Sequence, residues 1–307
     1  MKETALPSAT ATPPPLTSNA PTAMEPLPAG FDGQGRVIGV FDSGLGGLSV
    51  LQAIRQQLPQ ADCIYVADSG HAPYGERDDA FIHDRSAQIV RFLRDQGAHL
   101  VVVACNTATA AAIAEIRQQW TYLPIIGIEP GVKPAVAGSA NKRVGVLATP
   151  ATLNSLKFRA LVDSHGAGAH LVLQPCPGLA KEIEHGELDT AALRALIDSF
   201  CAPLVSAHVD TAVLGCTHYP LVRPLFQAAL GSSVKLVDTA HAVATHTARL
   251  ASQLKHPPHE NNTKNDTWPH TSGQVSLFTS GSPIDLSRMV HCWLGLDLPA
   301  QVLPAAT

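Results

Sequence analysis

The strongest constraint on the fold is a set of eight short apolar runs, rich in Val, Ile and Leu, that show no polar alternation. They occupy residues 36–44, 61–70, 99–107, 123–131, 143–150, 170–178, 210–218 and 234–240. A strand with one wet face alternates apolar and polar side chains, whereas a strand buried on both faces need not. The runs therefore predict a parallel sheet covered on both sides. Between them lie stretches such as LSVLQAIRQQL and FIHDRSAQIVRFLRDQ, whose apolar residues recur at three-to-four spacing and predict helices. Alternating strand and helix signals imply an α/β architecture with right-handed crossovers.

Two segments repeat one layout. HLVVVACNTATAAAIAEI and DTAVLGCTHYPLVRPLF each carry a buried strand, a small residue, a cysteine with a threonine within two residues, and then a helix. The expected organisation is α/β with two similar three-layer domains, their mostly parallel sheets facing each other across an active-site cleft. Residues 35–131 would form the first domain, completed by C-terminal helices within 242–307, and residues 132–241 the second. Residues 1–34, rich in Pro and Thr, read as a disordered tail with little to bury against the entropy of ordering. Residues 256–273 read as a surface loop, and 284–295 as a last helix packed on the first domain.

Charge and composition exclude several classes of function. A net charge of −4, with Lys and Arg scattered, leaves no basic footprint for nucleic acid. No stretch approaches the ~20 apolar residues of a membrane-spanning helix. The N-terminus has no apolar core of a secretory signal, so a cytoplasmic, reducing compartment is expected. The six cysteines include no C-x-x-C pair, which argues against a disulfide framework and leaves core fillers or reactive thiols. A Cys-x-His pair alone is too little for zinc. DSGLGGLSV (42–50) lacks the Walker ending and the full dinucleotide fingerprint, and its glycines read as a tight turn that approaches a small anion.

In open α/β sheets ligands bind beyond the carboxyl ends of the strands, where helix N-termini also favour anions. The residues found there are Asp42-Ser43-Gly44, Asp68-Ser69-Gly70, Cys105-Asn106-Thr107, Thr149 and Cys216-Thr217-His218. A cysteine at a strand-to-helix turn is expected to have its thiolate favoured by the helix N-terminus. Asn106 and Thr107 offer an amide and a hydroxyl beside Cys105, and His218 offers an acid/base partner to Cys216. A buried apolar role for either cysteine, and a capping or core role for His218, fit the spacing equally. In HAPYGER (71–77), a Pro-fixed turn presents Tyr74 and Gly75 to a ligand.

The motifs VFDSGLGGLSV, APYG, ACNTATAA and LGCTHYPLV, in this order and at these separations, resemble the glutamate racemases of the aspartate/glutamate racemase superfamily. The likeness spans about residues 36 to 300. It implies a cofactor-independent isomerase, with neither pyridoxal phosphate nor metal, that interconverts L- and D-glutamate for peptidoglycan synthesis. Two cysteines would act from opposite faces of the substrate, Cys105 on D-glutamate and Cys216 on L-glutamate. Asp42 would assist Cys105, while His218 and Glu184 would assist Cys216, with Glu182 a neighbouring candidate for that last position. Asp42, Ser43, Tyr74, Gly75, Asn106, Thr107, Thr149, Thr217 and His218 would bind the substrate. No nucleic-acid or membrane partner is implied, and a homodimer is compatible with the resemblance. A racemase for aspartate or another small acidic amino acid, and a non-catalytic binding protein on the same scaffold, stand as alternatives.

Overall fold

The computed structural model describes residues 31–254 and 273–304. The expected N-terminal tail, apart from residues 31–34, and nearly all of the 256–273 loop lie outside the described residues. All eight apolar runs form strands: β1 (Val37–Asp42), β2 (Asp62–Ala67), β3 (Leu100–Val103), β4 (Ile125–Gly127), β5 (Arg143–Ala148), β6 (His170–Pro175), β7 (Thr211–Leu214) and β8 (Lys235–Val237). Two further strands, β9 (Val275–Thr279) and β10 (Ala300–Val302), were not expected. β9 has Ser276 among its apolar residues and follows a polar stretch, and β10 is a three-residue strand after a helix, so neither stands out as an apolar run.

The strands form two wholly parallel sheets, ordered β10-β9-β2-β1-β3-β4 and β6-β5-β7-β8. The cores of the two orders, β2-β1-β3-β4 and β6-β5-β7-β8, are the same pattern used twice. In each, the chain leaves the first strand to one side and returns to its other side, which places a switch point between β1 and β3 and another between β5 and β7. A crevice opens at such a point because the flanking helices go to opposite faces.

Helices cover both faces of each sheet, as unalternated strands require. Against the first sheet, α1 (Leu48–Gln57), α10 (Ala240–Gln253) and α11 (Pro283–Leu294) bury Leu51, Ile54, Ala248 and Met289 on the face of Ile38 and Val40. On the other face, α2 (Asp79–Asp95) and α3 (Asn106–Gln119) bury Ile89, Leu93, Ala112 and Ile116 against Phe41, Val101 and Val103. The second sheet is held by α4 (Val132–Gly138) and α6 (Leu156–His165) on one side. On the other side lie α7 (Leu179–Glu184), α8 (Ala191–Ser206) and α9 (Arg223–Leu230). The short α5 (Pro150–Asn154) starts directly beyond β5. No helix among the described residues is long and apolar enough to cross a membrane.

Candidate active site

The two switch points face one another, and the residues beyond their strands line one cavity. Asp42 closes β1, and Cys105 lies two residues beyond β3. Thr149 follows β5 directly, and Cys216 lies two residues beyond β7. The cavity is lined by Asp42, Ser43, Tyr74, Gly75, Cys105, Asn106, Thr107, Thr149, Glu184, Cys216, Thr217 and His218. The residues that the resemblance marks for catalysis or substrate binding are therefore brought to the same place, whereas Gly44, Asp68-Ser69-Gly70 and Glu182, also candidates from the sequence, do not line it. Ala72, Pro73, Ala180 and Lys181 also line it and had not been anticipated.

Cys105 is the N-cap of α3, and its Sγ accepts the Ala108 N–H at 3.4 Å. The next N–H groups of this helix, on Asn106 and Thr107, have no carbonyl one turn back to bond, so they remain available at the cavity. Ser43 Oγ lies 3.4 Å from Cys105 Sγ and 3.2 Å from Asp42 Oδ1, so Asp42 reaches the sulfur through Ser43. The expected lowering of the Cys105 pKa is overturned. Burial, reinforced by the Asp42 charge, pushes the thiol up to about 12, and the Ser43 and Ala108 hydrogen bonds offset only part of this. The Asp42 carboxyl is itself raised, chiefly by its own complete burial.

Cys216 sits in a different electrostatic setting. Its Sγ is 3.5 Å from His218 Nδ1, and His218 Nε2 is 2.7 Å from Glu184 Oε1. Burial alone would lower the His218 pKa, but hydrogen bonds to Cys216 and Glu184 outweigh it and hold the ring well above its ordinary 6.5. The Gly46 N–H also approaches Nε2, at 3.2 Å, yet it could donate only to an unprotonated nitrogen. The shorter carboxylate contact and the raised pKa place a proton on Nε2, pointing at Glu184. Burial would raise the Glu184 pKa, but its bonds to His218 and to the Leu45 N–H (2.8 Å) keep the carboxyl low. Glu182 instead faces His185 at 3.4 Å on the outer side of α7, which separates the two glutamates that sequence alone left together.

The glycine-rich turn between β1 and α1 makes this geometry attainable. A Cβ at Gly44 would fall inside the Glu184 carboxylate, and one at Gly46 would lie 2.5 Å from His218 Nδ1. Only bare backbone lets the first domain's loop seat the second domain's His218–Glu184 pair. The halves also meet through Thr217, whose Oγ1 donates to Asp42 Oδ2 at 3.3 Å. A hydroxyl cluster forms a third contact: Thr107 Oγ1 is 3.1 Å from Thr149 Oγ1, which is 2.9 Å from Thr152 Oγ1. Thr152 was missed because it lies one helical turn inside α5, past the strand end that marked Thr149. Tyr74 does line the cavity, but its hydroxyl donates to Asp68 Oδ2 at 2.6 Å and its ring is buried, so the phenol is committed to the first domain rather than offered to a ligand.

All six cysteines are free, and among the described residues no cluster of three His, Cys, Asp or Glu side chains could hold a metal ion. The sequence pattern of the Asp/Glu/Hydantoin racemase family matches residues 38–247. The glutamate racemase of Ectopseudomonas mendocina is 51% identical over 216 residues, covering 70% of this chain and 82% of that protein. That of Pseudomonas aeruginosa strain PAO1 is 48% identical over 215 residues, covering 70% and 81%. Among solved structures, a glutamate racemase isoform from Bacillus anthracis superposes with a TM-score of 0.75 at 29% identity, covering 88% of this chain and 97% of that one. Escherichia coli glutamate racemase, solved with L-glutamate and the activator UDP-MurNAc-ala, gives 0.73 at 28% identity, covering 87% and 96%. The chain belongs to the Asp/Glu/Hydantoin racemase family and, within it, to the glutamate racemases.

Proposed function

We propose that this protein interconverts L- and D-glutamate by two-base proton transfer between Cys216 and Cys105, with no pyridoxal phosphate and no metal. The observation that carries this reading is the presence of two thiols at equivalent switch points on either side of one cavity, Cys105 beside Ser43 and Cys216 beside His218. Racemisation removes the α-proton from one face of the substrate and returns a proton to the other. Two groups on opposite faces accomplish this without either crossing the substrate.

In the L-to-D direction, His218 takes the Cys216 thiol proton, which its Glu184-supported ring is suited to hold. The Cys216 thiolate then removes the α-proton, and the buried Cys105 thiol delivers its own proton to the opposite face. The thiol begins protonated because its pKa stands near 12. In the reverse direction Cys105 must lose that proton first, and Ser43 and Asp42 form the relay that receives it. The α-proton is very weakly acidic, so the charge that develops on the carboxylate needs preorganised donors. The N–H groups of Asn106 and Thr107 and the hydroxyls of Ser43, Thr149 and Thr217 are the candidates.

This reading extends to the physiological role. The enzyme would supply D-glutamate for peptidoglycan in the cytoplasm, and a homodimer, which is compatible with the resemblance, belongs to the same proposal. The first domain would comprise 35–131 with the C-terminal segment from 242, and the second 132–241. Incubating purified protein with L-glutamate and following circular dichroism should show the signal decay to zero as the racemate forms. Faster loss of the L-aspartate signal than of the L-glutamate signal would overturn the substrate assignment.

A further inference from the structure

Outside the thiol machinery, the most heavily partnered buried charge in the first domain is Asp68, which is fully buried at the end of β2. Arg85, from the second turn of α2, grips it with both arms of its fork, Nε to Oδ2 at 3.0 Å and Nη2 to Oδ1 at 2.6 Å. The Tyr74 hydroxyl donates to Oδ2 at 2.6 Å, and His71 Nδ1 lies 3.0 Å from Oδ1. Burial would raise the Asp68 pKa, but the bonds from Arg85, Tyr74 and Ser280 hold the carboxyl charged. None of the mechanism's proton transfers uses this carboxylate. Its donors share another property, which is that two of them bracket the turn 71–75 at the cavity rim.

That turn offers the substrate backbone rather than side chains. Its internal bonds run from Glu76 N to Pro73 O and from Arg77 N to Tyr74 O. The N–H groups of Tyr74 and Gly75 donate to no acceptor among the described residues. Two adjacent free N–H groups at a cavity form a small anion-binding concavity, provided the turn is held still. The Tyr74 ring packs edge-on to Phe81 of α2, with centroids 6.4 Å apart, so the helix that supplies Arg85 also supports the ring.

We propose that Arg85 is a positioning residue for the substrate. Through the Asp68 carboxylate it fixes Tyr74, and thereby the paired Tyr74 and Gly75 N–H groups that hold a substrate carboxylate. This rests on the glutamate racemase reading and adds a determinant of affinity that lies outside the cavity lining. A rigid rim spares the substrate the entropic cost of ordering it, so the effect falls on binding more than on proton transfer.

The test compares wild type, Arg85→Met, Arg85→Lys and Tyr74→Phe for glutamate racemisation, together with amide hydrogen exchange over the 69–78 segment. Arg85→Met should raise KM about tenfold while kcat stays within about threefold. Arg85→Lys keeps the charge but loses the fork, so it should rescue only part of the effect. Tyr74→Phe, which removes one hydroxyl from an intact ring, should raise KM in the same direction. Combined with Arg85→Met it should add less than its separate effect, because both act through one carboxylate. Exchange over 69–78 should speed up in Arg85→Met even without substrate. Unchanged KM and unchanged exchange in folded Arg85→Met and Tyr74→Phe would overturn the proposal, as would a pure loss of kcat. A wild type that does not racemise glutamate would instead overturn the functional reading, and the exchange measurement would still decide whether Arg85 holds the rim.

Discussion

Replacing Glu184 with Gln isolates one charge in the Cys216 arm. Gln keeps an oxygen for the Leu45 N–H, which now bonds Glu184 at 2.8 Å, and it adds no bulk. It removes the carboxylate that receives the His218 proton at 2.7 Å and that helps hold the ring's pKa up. A hydrogen bond to a charged group contributes about 1.5–3 kcal/mol, and at ~1.4 kcal/mol per decade that is roughly a 10- to 150-fold loss in kcat/KM. L- and D-glutamate have equal free energies, so kcat/KM must fall by the same factor in both directions whichever arm is damaged. Isotope effects identify the arm. With α-deuterated L-glutamate, bond breaking at Cys216 becomes more fully rate-limiting and the primary effect grows. With α-deuterated D-glutamate, bond breaking at Cys105 becomes less limiting and the effect shrinks. A wild-type rate in Glu184→Gln, or an effect that grows from the D side, would refute the assignment of Glu184 to the Cys216 arm.

Other predictions follow from the same geometry. Gly46→Ala places a methyl 2.5 Å from His218 Nδ1 and 2.7 Å from the His218 backbone nitrogen, so it should lower kcat by about tenfold or more, given how steeply rate depends on alignment, and lower Tm as well because buried backbone must shift. Thr152→Val removes a buried hydroxyl that bonds Thr149 at 2.9 Å, and steady-state kinetics should show KM rising about fivefold, the equivalent of one hydrogen bond of ~1 kcal/mol. The His218–Glu184 pair should leave a signature in stability against pH. His218 is raised above 6.5, so its contribution is whole below that pH and is lost as pH climbs through the folded value. Glu184 is lowered from 4.5, so its contribution is whole above that pH and is lost as pH falls through the folded value. The Tm gap between wild type and His218→Asn should therefore be widest between these two pH values and narrow on the alkaline side; a gap that widens towards pH 9 would contradict this.

The eight expected strands were legible because burial on both faces, in strands such as β1, β3, β5 and β7, leaves unbroken Val, Ile and Leu; β6 and β8 show the same runs at the sheet edges, where the expected two-sided burial is not realised. β9 escaped because Ser276 interrupts its apolar residues directly after a polar stretch, and β10 because it is a three-residue, largely exposed strand at the sheet edge. Asp42, Cys105, Thr149 and Cys216 could be picked out because parallel topology puts strand ends where ligands bind. Glu184 could not be reached that way, since it lies on a helix of the second sheet and crosses to a loop of the first; only the family resemblance marked it. The depressed thiol pKa expected for Cys105 was wrong for a physical reason. A helix N-terminus favours the thiolate, but burial beside Asp42 disfavours it more. The Asp68–Arg85 pair escaped notice because nothing in the sequence signals a contact 17 residues apart between a strand end and a helix face.

The most direct test of two-base chemistry is α-proton exchange in D2O, read by mass spectrometry or NMR on each enantiomer separately. Wild-type protein should build deuterium into the glutamate formed from either starting form, while Cys105→Ser and Cys216→Ser should each lose net racemisation. Undiminished racemisation in either single variant would contradict the assignment of Cys105 and Cys216 as the two proton-transfer groups.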